Sequence, residues 1–162
     1  MASDRPQVEL SSAVVVAGQW RNLHISEWRA RSTTEQLQAI YTRQADIARL
    51  HGKVVTLSVV PGNVVQPIGA EMRATIEAAD RELQSKIRAG ALVLLAGGFG
   101  GAIIRSLMTS LNLLRRSEYP NKITATVEAA CTFLAEYVDG KPSPAELIAV
   151  HKEIAATPIR QP

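Results

Sequence analysis

"LVLLAGGFGGAIIRS" runs from Leu92 to Ser106, and its reading decides the fold. A continuous apolar run of this length marks a strand covered on both faces. Glycines at 97, 98, 100 and 101 follow, and then apolar residues that recur at helical spacing. Strand, glycine turn and helix in succession are half of a parallel βαβ unit. The flanking sequence should therefore alternate in the same way.

It does so in both directions. Upstream, "VELSSAVVVAGQW" has Val14, Val15 and Val16 as a β-branched centre. "NLHISEWRA" puts Leu23, Ile25 and Glu27 on one face and His24, Ser26 and Trp28 on the other. "GQWRN" between them, with Gly18 and Asn22, suits a hairpin turn. The period then changes. Leu37, Ile40, Tyr41, Ile47 and Leu50 recur as on a helix, with Ser32 and Glu35 as a capping box and Gly52 as the stop. "KVVTLSVVPG" is the next strand. A second helix is expected from Pro67 to Gly90, with Ile68, Met72, Ile76, Ala79, Leu83 and Ile87 as its stripe.

Downstream, the helix expected from Phe99 to Arg116 is apolar almost all round. Ile103, Ile104, Leu107, Met108, Leu111, Leu113 and Leu114 cover most of its circumference, which calls for burial on more than one side. In a small chain the second side is most simply another subunit. "KITATV" is a short strand, and "VEAACTFLAEYV" a helix with Thr126 as N-cap. Ser143, Pro144 and Glu146 then open a terminal helix over 143–156. The expected fold is α/β: a single, mainly parallel sheet of about five strands, in the order β-β-α-β-α-β-α-β-α, with one appended C-terminal helix. The α/β domain occupies 8–138 and the appended helix 143–156, between a tail over 1–7 and a second tail over 157–162.

At 162 residues, with 46% apolar and 20% charged side chains, one domain is expected, and it can bury its own core. Aromatic residues make up only 4%, so that core is aliphatic. Net charge is +3, and the basic residues are interspersed; Arg115-Arg116 and the trio Arg21, Arg29 and Arg31 are the densest groups. A nucleic-acid binder shows a clustered stripe instead, so a solvated surface is the expected reading. The single cysteine, Cys131, excludes an internal disulfide and reads as a small core residue. One Cys and three scattered His make no metal-ligand spacing, so no metal and no cofactor are expected. "MASDRPQVEL" has no apolar run of a signal peptide, and no stretch is apolar enough to insert in a membrane. A cytoplasmic protein is expected.

This element order resembles the STAS, or SpoIIAA-like, fold of anti-sigma-factor antagonists and of the cytoplasmic domains of sulfate transporters. The chain is also similar to bacterial STAS-like proteins, myxobacterial ones among them, at Gly98-Phe99, Gly101, Arg105-Ser106, Thr109, Leu111, Pro120 and Ala125-Thr126-Val127-Glu128. The resemblance implies a signalling module that acts through protein–protein contact. Anti-sigma antagonists carry a phosphorylatable Ser after the strand that corresponds to "VTLSVV". No Ser or Thr stands between Pro61 and Gly69, so that phosphoswitch does not carry over.

Two readings of the glycine turn stay open. Gly98, Phe99, Gly100 and Gly101, with Arg105 further along, are candidate ligands for an anion or nucleotide at a helix N-terminus. Neither G-x-x-x-x-G-K-[ST] nor G-x-G-x-x-G is present, and the alternative is that the glycines serve close packing. Trp20, Trp28, Phe99, Ile104, Leu107, Met108 and Leu111 are the candidate interface residues; for the tryptophans, capping the open end of a core weighs equally. His24 and Glu27 fall on opposite faces of a strand and so make no catalytic pair, and His51 and His151 read as solvated. No acid, base and nucleophile converge, so no catalytic residue is named. The expectation is a non-enzymatic, STAS-like interaction module that self-associates as a homodimer; the alternative is a small-molecule binding domain built on the glycine turn.

Overall fold

β-branched runs that alternate in burial form the strands, and their pairing follows chain order. The structure, a computed structural model, describes residues 4–64, 69–95, 101 and 118–160. Among these, β1 (Gln7–Ser11), β2 (Val15–Trp20), β3 (Leu23–Trp28), β4 (Val54–Val60), β5 (Ile87–Leu94) and β6 (Asn121–Thr124) form one sheet in the order β1-β2-β3-β4-β5-β6. The first two pairings are antiparallel and the last three parallel. The sheet is therefore mixed and six-stranded, rather than mainly parallel with about five strands. The extra strand comes from "VELSSAVVV". Ser12 breaks it: its hydroxyl accepts from the Val14 and Val15 N–H groups, at 3.1 and 3.2 Å, and turns the chain. Gly18 then lies inside β2, and Arg21 at φ +54° makes the next turn.

Four α-helices among the described residues accompany the sheet: α1 (Thr34–His51), α2 (Ala70–Leu83), α3 (Val127–Leu134) and α4 (Pro144–Ala155). Thr33, rather than Ser32, caps α1, accepting from the Gln36 N–H. The second helix stops at Leu83, short of the expected Gly90. Its last stretch is a 3₁₀ turn, and Ile87 already pairs with Val54 in the sheet. Gly90 is a strand residue: a Cβ there would stand 2.9 Å from Thr56 Oγ1. Thr126 caps α3, and Ser143 and Glu146 close the expected capping box on α4.

Handedness explains the layers. Each step from β3 to β4 and from β4 to β5 moves the same way across the sheet, so right-handed crossovers put α1 and α2 on one face. The final helices are bound by no such rule, and α3 and α4 cover the other. Against α3 and α4 the sheet presents Val16, Leu23, Ile25, Val55, Leu57, Val59 and Val93, all buried. Trp20, 5% exposed, closes this cluster at one end. Gly18 brings α4 close: a Cβ there would lie 2.7 Å from the Gln7 carbonyl and 3.0 Å from Ile154 Cδ1. Cys131 is buried in the same layer, and burial pushes its thiol up to about 11.

The C-terminal residues return to the first strand. Arg29 donates from Nη1 to Ser11 Oγ and the Ser12 carbonyl and from Nη2 to the Thr157 carbonyl. Ser11 Oγ donates to the Pro158 carbonyl at 2.7 Å, and the Arg160 N–H to the Ser11 carbonyl at 3.2 Å. Arg29 is thus a structural clamp rather than a solvated charge. Arg21 is another: it donates to the Asp139 carbonyl at 3.0 Å and pairs with Asp4.

Candidate functional site

On the face covered by α1 and α2, the same alternation yields different chemistry. His24, Ser26 and Trp28 come from β3, Thr56 and Ser58 from β4, and Gly90 and Leu92 from β5. Register aligns them in rows, His24–Thr56–Gly90 and Ser26–Ser58–Leu92. Small hydroxylated side chains cannot fill the space beneath two helices. A cleft of about 340 Å³ remains, at the lower end of the ~300–1,000 Å³ range of small-molecule sites.

Its floor is Ser26, Thr56, Ser58, Gly90 and Leu92. Ser26 Oγ and Trp28 Nε1 both donate to Ser58 Oγ, each at 3.3 Å. Its walls come from α1 (Leu37, Ile40, Tyr41, Gln44), from α2 (Ile76, Asp80, Leu83), from Tyr119 just before β6 and from Ile123 within it. Three of the chain's seven aromatic residues, Trp28, Tyr41 and Tyr119, border this one cleft. Burial, and after it the Asp80 charge, raise the Tyr119 phenol above its usual range and keep it neutral. Lys122 also lies at the margin, but its ammonium sits 5.8 Å from the Phe133 ring centre, over a residue packed on the opposite face.

His24 lies in the row with Thr56. It is fully buried, and neither ring nitrogen has a hydrogen-bond partner among the described residues. Burial, and after it the Arg43 charge, lower its pKa to about 4, so the ring is neutral near pH 7.

A second groove of about 260 Å³ opens on the other face, lined by Leu95, Thr126, Val127, Glu128, Ile148, His151 and Lys152. Here the expectation for His151 is overturned. It is 9% exposed, and its Nε2 contacts Glu27 Oε2. The contact joins α4 to β3 and holds the imidazole in one orientation. His51 is half-buried too, with Nδ1 3.7 Å from Asp139 Oδ2 and Nε2 3.4 Å from Gln19 Nε2. Arg88 Nη1 reaches the same aspartate at 2.8 Å. Among the described residues no group of three His, Cys, Asp or Glu could hold a metal. No described helix is long and apolar enough to cross a membrane.

Most of the sequence-predicted site residues are not brought together. Gly98, Phe99, Gly100 and Arg105 lie outside the described residues, as do Ile104, Leu107, Met108 and Leu111. Gly101 is described and buried. Trp20 and Trp28 stand on opposite faces of the sheet, each 5% exposed, and each closes an apolar cluster. Trp28 alone borders the cleft. Sequence reading passed over Gln44, Ser26 and Ser58. The signal for Gln44 was its place on the α1 stripe, four residues after Ile40 and three before Ile47. His151 likewise stands between Leu147 and Ile154 on the buried stripe of α4.

No family model, curated protein or solved structure matches this chain.

Proposed function

We propose that this chain is a non-enzymatic, STAS-like regulatory module whose ligand is a small molecule held between α1, α2 and the sheet. The observation that carries this reading is the cleft itself, with a hydroxyl floor, aromatic and aliphatic walls and a volume suited to a small ligand. Binding rather than catalysis is supported by how its hydroxyls are used. Ser58 accepts from Ser26 and from Trp28, and among the described residues neither serine bonds to a base that would activate it as a nucleophile. The element order resembling STAS domains supports a regulatory role. The homodimer reading rests on the stretch 99–116, which lies almost wholly outside the described residues.

The test is a melting-temperature series with indole and with ethylbenzene, in the wild type and in Leu92→Trp, which fills the cleft from its floor. A ligand that binds only the folded state raises the melting temperature with its concentration. The expected result is a rise in the wild type that is absent in Leu92→Trp. Equal behaviour of the two proteins would overturn the assignment of the cleft.

A further inference from the structure

Gln44 sits on the buried stripe of α1 and is 7% exposed. Its side chain borders the cleft, and no described residue hydrogen-bonds its carboxamide. Its nitrogen and oxygen are not among the side-chain atoms sealed from solvent without a partner, so the carboxamide opens to the cleft, where a ligand would replace water. Across the cleft, Ser58 Oγ already accepts two hydrogen bonds and keeps its own O–H to donate. The Thr56 hydroxyl lies beside it on the floor. Gln44 offers a donor and an acceptor side by side, and three aromatic residues border the same cleft.

Charge narrows the ligand further. Asp80 and Lys122 are the charged side chains among the described lining residues. Asp80 is already engaged, and Lys122 lies over Phe133. A charged ligand would find no described counter-charge inside the cleft beyond Lys122 at its margin. We infer that the cleft takes a neutral, planar amide or lactam, whose adjacent donor and acceptor pair with the Gln44 carboxamide while its ring lies among Trp28, Tyr41 and Tyr119. This inference rests on the reading of the cleft as a small-molecule site.

The test uses Trp20→Phe, which leaves Trp28 as the only tryptophan and so makes emission report on the cleft. Benzamide, N,N-dimethylbenzamide, benzoate and ethylbenzene are titrated into this protein and into the same protein carrying Gln44→Leu. Benzamide should bind roughly tenfold or more tightly than dimethylbenzamide, which lacks the donor, and than benzoate, which carries charge. Gln44→Leu should bring benzamide down to the level of ethylbenzene and leave ethylbenzene unchanged. Should all four bind alike, with no effect of Gln44→Leu, the amide inference falls while the cleft remains a small-molecule site. Should none bind, both fall. If Gln44→Leu does not fold, Gln44→Met replaces it, and the contrast between benzamide and dimethylbenzamide decides the matter without either variant.

Discussion

The two faces of this sheet are made by the same strands and obey opposite rules. Toward α3 and α4, β3 and β4 present Leu23, Ile25, Val55, Leu57 and Val59, and nothing polar interrupts them but Glu27 at the end, taken up by His151. Toward α1 and α2 the intervening residues are His24, Ser26, Thr56 and Ser58. A close-packed face gains from every methylene it buries. A hydroxylated face leaves space and keeps hydrogen-bonding groups in it. Stability is thus concentrated on one side and chemistry on the other, so substitutions one residue apart should differ in kind.

The largest contrast is between Leu57 and Ser58. Leu57→Ala empties a fully packed position and should cost about 3 kcal/mol of unfolding free energy. Ser58→Ala removes the acceptor for Trp28 and Ser26 and should cost only about 1 kcal/mol. Chemical denaturation of the two variants compares them directly, and equal costs would end the distinction between the faces.

Acid should strike the polar face first. His24 titrates near 4 in the folded protein and near 6.5 unfolded. Between these values the unfolded state binds the extra proton, so stability is full above about pH 6.5 and is lost as pH falls toward 4. The span corresponds to about 3 kcal/mol. Denaturation midpoints for wild type and His24→Leu, measured at pH 7 and pH 4.5, should converge for the variant and separate for the wild type. A wild type as stable at pH 4.5 as the variant would show that His24 finds a partner on protonation.

Gly18 sharpens the packed side. Gly18→Ala drives a methyl group against the Gln7 carbonyl and Ile154, and should cost about 1–3 kcal/mol by overpacking. Its effect should shrink, but not vanish, if Ile154 is shortened to Val in the same chain, because the Gln7 carbonyl still stands 2.7 Å from the new methyl. The smallest expected effect is that of Gln44→Leu in the absence of ligand. Replacing a carboxamide that no described residue pairs by an apolar group of similar size should leave the melting temperature nearly unchanged.

Much of the fold was legible because burial leaves a period. The alternation in "NLHISEW" assigned the faces of β3 correctly, and Thr126, Ser143 and Glu146 marked their helix starts with side chains that cap backbone N–H groups. What misled was composition without pairing. "SKIRAG" continues a helical stripe, yet Ile87 gains more by joining Val54 in the sheet than by extending α2. "VELSSAVVV" looks like one strand until Ser12 turns it. The candidate cleft was less legible for a related reason. A glycine-rich turn announces itself, whereas a cleft made of Ser26, Ser58 and Gln44 exists only once β3, β4 and α1 are brought together. Polar residues on an inward stripe were the available clue, at Gln44 and at His151 alike.

The clamp between Arg29, Ser11 and the last described residues carries a consequence for synthesis. Ser11 and Pro158 are 147 residues apart. At roughly 5–20 residues per second, a ribosome needs roughly 7–30 s to make the second after the first. Through that interval β1 can pair with β2, but Ser11 at its end lacks the two bonds that Pro158 and Arg160 supply. β1 leaves the ribosome before the other strands of this sheet, yet the contacts at its end are completed last, and a nascent chain halted before Thr157 would leave Ser11 and Arg29 without the carbonyls of Pro158 and Thr157.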